Sequence, residues 1–138
     1  MKDVFCKIID GEIPSTKIYE DDDVLAILDV SQTTKGHTLV MPKKHYQDFL
    51  STPSEVSHKV YDVAQRIGQA MVGVLGAKGV NILTNAGEAA GQSVPHFHVH
   101  VIPRYTGGEG GFQISMKAQD TSRMDLPRLA LSIKEGIK

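Results

Sequence analysis

Residues 96–103 read HFHVHVIP, with His96, His98 and His100 alternating against Phe97, Val99 and Val101. A repeat of two is the period of an extended strand, in which side chains at i, i+2 and i+4 point to one face. Successive members of such a row lie about 6.7 Å apart. The segment therefore predicts a strand with an imidazole row on one face and an apolar row turned into a core. Half of the chain's six histidines stand in this row. Clustered imidazoles oppose one another's protonation, so a merely solvated face explains three in succession poorly.

The flanking segments predict what such a strand packs on. Residues 52–76, TPSEVSHKVYDVAQRIGQAMVGVLG, predict a long helix. Thr52, Pro53 and Glu55 read as a capping box with proline at the first helical position. Val56, Val60, Val63, Ala64, Ile67, Met71, Val74 and Leu75 form one apolar stripe, and Gly76 is a natural stop. Gly68 and Gly73 each cost about 1 kcal/mol relative to alanine inside a helix, which points to close packing on a sheet. His58 lies off the stripe and reads as a surface residue.

VFCKII predicts a short first helix ended before Gly11, and KIYEDDDVLAILDVS two strands around an acidic turn, Asp21 to Asp23. HTLVMP is a third strand, stopped by Pro42, and GVNILTN a fourth. Beyond Arg104, the glycine-rich YTGGEGGF is expected to be mobile. LPRLALSIKEGI closes the chain as an amphipathic helix with Leu126, Leu129, Ala130, Ile133 and Ile137 turned inward. The order of elements predicts an α+β fold: an antiparallel sheet, one long helix packed on it, and a short N-terminal helix. A single domain spanning 1–138, with its core at about 4–104, fits the length.

Charge and composition exclude some partners. The net charge of −1 gives no general pull toward nucleic acid or an anionic membrane. No apolar run approaches the ~18 residues of a membrane span, and MKDVFCKIID lacks a signal-peptide core. A cytoplasmic protein with neither membrane nor nucleic acid as partner is expected. The lone Cys6 has no internal disulfide partner, in keeping with a reducing compartment. It is a buried small residue, a metal ligand or a reactive thiol.

Two chemistries suit the imidazole row. Histidines at i and i+2 chelate zinc when another ligand arrives from elsewhere, which makes His96, His98 and His100 candidate ligands of a metal-dependent hydrolase. Alternatively, a neutral imidazole attacks an electrophile such as phosphorus while its neighbours bind the developing charge. The preceding NAGEAAGQS is rich in Gly and Ala and ends three residues before His96. Such a loop turns backbone N–H groups toward an anion. Cradle and row together favour phosphoryl or nucleotidyl chemistry; a non-catalytic nucleotide-binding module would use the same residues.

GQSVPHFHVHVIPR resembles the signature of the histidine-triad (HIT) superfamily of nucleotide hydrolases and transferases, His-x-His-x-His-x-x with apolar x, completed here by Val101 and Ile102. FCKIIDGEIPSTKIYEDDDVLAILDVS, KGHTLVMPKKH and TNAGEAAGQS resemble further family segments in the same order, so the resemblance spans roughly residues 4–104. It points to the bacterial HIT proteins related to the Hint branch. The resemblance implies a HIT-like fold with His98 as nucleophile on the α-phosphorus of a purine nucleotide, through a nucleotidyl-histidine intermediate. It implies that His100 binds a phosphate oxygen, that His96 orients the row, and that His37 stands beside them. Asp29 would bind ribose hydroxyls. Asn85, Gly91, Gln92, Ser93 and Val94 would form the phosphate and leaving-group loop, with Ile27 at the base cleft. The implied substrates are purine nucleoside phosphoramidates or related conjugates, with dinucleoside polyphosphates as rivals and no cofactor required for catalysis. A homodimer with sheets joined across a two-fold axis is implied too.

One departure stands out. Many bacterial relatives carry Cys-x-x-Cys near the N-terminus, completing a structural zinc site with two histidines. Here the first of these positions is Asp3 and the second Cys6; the matching histidines are His45 and His96. Zinc accepts carboxylate oxygen, although thiolate is the stronger ligand. Either zinc binds Asp3, Cys6, His45 and His96, or Cys6 is a small core residue and His45 stands free near the site edge.

Overall fold

The computed structural model describes residues 2–109 and 111–138. In chain order the elements are α1 (Val4–Ile9), β1 (Lys17–Glu20), β2 (Val24–Leu28), β3 (Thr38–Pro42), α2 (Ser54–Leu75), β4 (Gly79–Leu83), β5 (Val99–Arg104) and α3 (Leu126–Gly136). The strands form a sheet in the order β1-β2-β3-β5-β4, every neighbouring pair antiparallel. This is the expected α+β arrangement. Among the described residues, no helix is long and apolar enough to cross a membrane.

Alternation along the strands divides the core into two layers. Val24, Ala26, Val40, Val99 and Val101 meet Val60, Val63, Ala64 and Met71 of α2. Leu25, Ile27, Leu39 and Met41 face the other way and are covered by Phe5 and Ile8 of α1. The acidic turn between β1 and β2 holds itself together: Asp21 Oδ1 accepts from the amides of Asp23 and Val24, at 2.7 Å each.

Several expectations are corrected. The strand expected from His96 begins only at Val99, and His96–His98 precede it as irregular chain. Thr52 does not cap α2. Its hydroxyl donates instead to Asp48 O at 2.6 Å, and the capping box lies earlier, between Asp48 and Ser51 on a 3₁₀ turn. Proline at position 53 ends that turn, and α2 starts after it with no side-chain cap. The stripe of α2 also stops short: Val74 is 81% exposed and Leu75 is exposed. Gly76 does end the helix, at φ +73°. Gly68 is buried against Val80, whereas Gly73 has no neighbour that a Cβ would meet within 4 Å. Within the glycine-rich segment after Arg104, one side chain gathers several bonds. Glu109 accepts from the Thr106 amide (2.8 Å), the Tyr105 amide and Arg104 Nε (3.0 Å). Those amides, with its own, hold the Glu109 carboxyl down at about 2. Finally, α3 is exposed along its whole length, so Leu126, Leu129, Ala130, Ile133 and Ile137 do not turn into this chain's core.

The open surroundings of Gly73 make a test of the helix itself. Gly73→Ala is expected to raise stability by about 0.5–1 kcal/mol in urea unfolding, since it removes glycine's entropic cost without a new contact. Gly68→Ala should at least hold stability, its Cβ meeting Val80 only at 3.8 Å. A loss at Gly73 would show that α2 packs differently at its end.

Candidate active site

Phe97 decides where the imidazoles go. Its ring is 1% exposed in the α2 layer, and its amide donates to Tyr46 O at 2.7 Å. With Phe97, Val99 and Val101 held on that side, His96, His98 and His100 are turned to the α1 side, although only His100 belongs to β5. Phe5 of α1 meets His98 edge-on, ring centres 4.8 Å apart, and His98 and His100 lie 5.1 Å apart.

Backbone carbonyls fix the ring protons of two histidines. His98 Nδ1 is 2.7 Å from His96 O. A carbonyl only accepts, so Nδ1 carries the proton and Nε2 is left with its lone pair. His96 Nε2 is 3.0 Å from Pro42 O and donates there, and its Nδ1 faces Asp3 Oδ2 at 3.3 Å. One ring thus presents its Nε2 to its surroundings and the other its Nδ1.

His98 and His100 line a cleft of about 350 Å³ with Phe5, Asp29, Ser31 and Leu39. Its remaining wall is the loop after β4, through Asn85 and Gly91–Val94. The structure therefore brings Asp29, Asn85, Gly91, Gln92, Ser93, Val94, His98 and His100 to one cavity. Ile27 is not among the lining residues; it lies in the core with Leu39. His37 stands behind His100, its Nε2 3.0 Å from His100 Nδ1 and 3.6 Å from Asp29 Oδ2. Gln92 is spent on the loop itself: its Oε1 accepts from Gly87 N (2.8 Å), and its Nε2 donates to Gln47 O (2.7 Å) and Val94 O (2.9 Å). Gly87 and Gly91 take φ of +93° and +94°, which lets this loop turn tightly. Sequence reasoning missed Phe5, Ser31 and Leu39 as cleft walls. Phe5 carried a signal, an aromatic residue beside Cys6, but helical spacing alone made it look like core.

Burial keeps these imidazoles uncharged. Desolvation lowers the His98 and His37 pKa values. Desolvation, with the neighbouring His98 and His37, lowers that of His100 to about 4. At neutral pH the rings are free bases, the state a nitrogen nucleophile needs.

His96 turns away from the cleft, toward a second constellation. Asp3, Cys6, His45 and His96 converge, and a separate group joins Asp29, His37 and His100. His96, His98 and His100 do not gather as a ligand set, which corrects that expectation. The distances in the first group are Cys6 Sγ to His45 Nδ1 and to His96 Nδ1, 3.6 Å each, and Cys6 Sγ to Asp3 Oδ2, 3.4 Å. Asp3 Oδ2 lies 3.0 Å from His45 Nδ1 and 3.3 Å from His96 Nδ1. Zinc bound tetrahedrally at about 2.3 Å to sulfur and about 2.0 Å to nitrogen or oxygen gives ligand–ligand edges of roughly 3.3–3.6 Å. The residues fit that ion. His96 Nδ1 facing a carboxylate oxygen is satisfied by positive charge between them, a metal cation or a proton. Asp3 suits the place because it has two oxygens: Oδ1 caps α1 at the Cys6 amide (2.8 Å) while Oδ2 faces the cluster.

The chain matches the family described as the HIT domain over residues 10–107. A HIT family protein of known structure from Bacillus subtilis is 43% identical, with a TM-score of 0.91 over 100% of this chain and 99% of that one. A zinc-bound histidine triad family protein from Mycobacterium smegmatis is 41% identical, with a TM-score of 0.75 over 98% of this chain and 96% of that one. Adenylylsulfatase HINT3 of Arabidopsis thaliana is 46% identical over 101 residues, 73% of this chain and 51% of that protein.

The lowered His100 pKa has a consequence for stability. Between about pH 6.5 and 4 the unfolded chain takes a proton that the folded site refuses. Stability is therefore complete above that window and falls as pH drops through it, by at most about 1.4 kcal/mol per pH unit for one such group. Urea unfolding at pH 7 and pH 4.5 should show the loss, and His100→Gln should make it shallower, leaving the part due to His98 and His37. An equally steep profile in that variant would place the proton uptake elsewhere.

Proposed function

Because the chain belongs to the HIT domain family, we propose that its cleft binds a purine nucleotide and that His98 attacks the α-phosphorus, making the protein a nucleotide hydrolase of the phosphoramidase type. The observation that carries this is the His98–His96 carbonyl bond of 2.7 Å, which leaves an unprotonated Nε2 on a ring lining the cleft. The relative named an adenylylsulfatase supports chemistry at an adenylyl phosphorus.

In this mechanism the base lies against Phe5, Leu39 and Val94, and the ribose hydroxyls meet Asp29. The α-phosphate sits between His98 Nε2 and the loop around Ser93. The Nε2 lone pair forms the P–N bond while the bond to the leaving amine breaks, its electron pair leaving with nitrogen, which then takes a proton. His100 and the loop amides hold the developing charge on the phosphate oxygens, each well-placed donor contributing about 3 kcal/mol. Water then attacks phosphorus, the P–N bond breaks, and His98 returns as a neutral ring with the mononucleotide released.

Zinc at Asp3, Cys6, His45 and His96 is part of the same proposal, as a structural ion. When bound, it supplies positive charge that joins α1 to the segment carrying the imidazoles. The His96 ring would meet it through Nδ1, its other nitrogen held by Pro42 O. Catalysis itself would be the work of the cleft residues.

A homodimer in the cytoplasm completes the proposal. β4 is an outer strand, and Ile82 on it and Val72 on α2 are exposed. An unpaired edge beside apolar side chains favours antiparallel pairing with a second copy across a two-fold axis. The apolar face of α3 adds further surface for a partner.

Three measurements test these points. His98→Ala and His98→Asn should lower kcat on adenosine phosphoramidate by about a thousandfold or more, as loss of a covalent nucleophile does; undiminished turnover would end the assignment. Metal analysis of the purified protein should find zinc, and both Asp3→Ala and Cys6→Ala should lose it with a lower melting temperature. Wild-type melting that is insensitive to a strong chelator, with no metal found, would leave Cys6 as a core residue. Sedimentation equilibrium should give twice the chain mass, and Ile82→Lys should shift it toward one.

A further inference from the structure

The mechanism proposed above asks His100 to present an N–H to phosphate, and the hydrogen bonds behind the ring say what keeps the proton on that side. They lead from His100 through His37 to Thr33. His37 Nδ1 lies 3.3 Å from the Thr33 amide nitrogen and 2.5 Å from the Thr33 hydroxyl. An amide N–H only donates, so His37 Nδ1 is the acceptor and neutral His37 carries its proton on Nε2. That Nε2 is 3.0 Å from His100 Nδ1 and donates to it. His100 Nδ1 is then the acceptor in turn, and its own proton lies on Nε2, free for the cleft that this ring lines.

We propose that Thr33 is a positioning residue for His100: its amide, reinforced by the hydroxyl donating to the same nitrogen, sets the tautomer of His37, and His37 sets that of His100. This rests on the anion-binding role of His100 given under the proposed function. Thr33 touches neither cleft nor substrate and acts only through the two rings.

The loop carrying Thr33 is held firmly enough for that task. Gln32 Nε2 donates to Asp29 O (2.6 Å) and to His37 O (2.8 Å), and its Oε1 accepts from the Gly36 amide (2.7 Å). Thr34 Oγ1 donates to Pro103 O at 2.7 Å. From outside, the chain at Gly111 lies directly on the Thr33 peptide. A Cβ at Gly111 would collide with Thr33 O, so only glycine fits there. The segment is tied down beside it by Arg104, whose Nη2 donates to Gly107 O (3.2 Å) and to Phe112 O (3.5 Å). Gly111 is thus a buttress for Thr33.

The test reads the proton directly. Imidazole ¹⁵N spectra of the ligand-free wild-type protein at neutral pH should show His37 and His100 both as Nε2–H tautomers. Thr33→Val keeps the shape and removes the hydroxyl. It should move part of both rings to the Nδ1–H form and lower kcat about 3- to 10-fold with KM within about twofold, the size of one lost hydrogen bond. Thr33→Ser should restore both the spectrum and kcat. Gly111→Ala, remote from the cleft, should reproduce the valine spectrum by displacing the Thr33 peptide. Nδ1–H signals for either ring in the wild type would overturn the proposal. So would a valine variant with wild-type tautomers, or a serine variant as impaired as valine. The spectra need no substrate, so they decide this point even if nucleotide turnover is never found.

Discussion

The burial of Phe97 is the constraint from which the site follows. Its ring is closed into the α2 layer with Val99 and Val101, and its amide is tied to Tyr46 O. A buried aromatic side chain contributes several kcal/mol, far more than any preference of the imidazoles for one orientation. The three histidines take the opposite face because their neighbours cannot leave the core. This also explains why the alternation survives ahead of β5, where the ladder of strand hydrogen bonds has not yet begun.

Once the rings are placed, peptide carbonyls distribute their protons. Pro42 O takes the proton of His96 Nε2, and His96 O takes that of His98 Nδ1. Adjacent members of one row therefore offer opposite ring nitrogens, one to the Asp3–Cys6–His45 cluster and one to the cleft. His96 connects the two through both its ring and its carbonyl. Asp3 makes a similar join on a smaller scale, one oxygen capping α1 and the other in the cluster. Phe5, two residues further on, closes the cleft against His98. α1 is short, and its hold on the site depends on this combination of cap, cluster and ring contact.

The parts that sequence made legible are those where one short segment contains its own instruction. The period of two in 96–101, the stripe of α2 and the αL stop at Gly76 each depend on neighbours within a few residues. They gave the strand faces, the long helix and the α+β order. The loop residues Asn85 and Gly91–Val94 were also placed at the cleft, through the family resemblance. Where the reading went astray, the missing quantity was the distance between groups in space, even for partners only three to five residues apart. Thr52 carried every local mark of an N-cap, yet Asp48 lay near enough to take its hydroxyl. Val74 continues the stripe, yet it is 81% exposed. In the glycine-rich stretch, Arg104 and two amides converge on the Glu109 carboxylate.

By itself, then, the sequence determined which side chains share a face, since alternation and helical period are properties of the covalent chain and its allowed backbone angles. It also determined that the imidazoles would be three and adjacent. Only the tertiary structure decided which ring nitrogen of each carries the proton and which residues meet from afar. Asp3 reaches His96 and His37 reaches His100, across 93 and 63 positions of chain. Proton placement depends on the partner within about 3 Å, and that partner is chosen by packing, which no short segment contains.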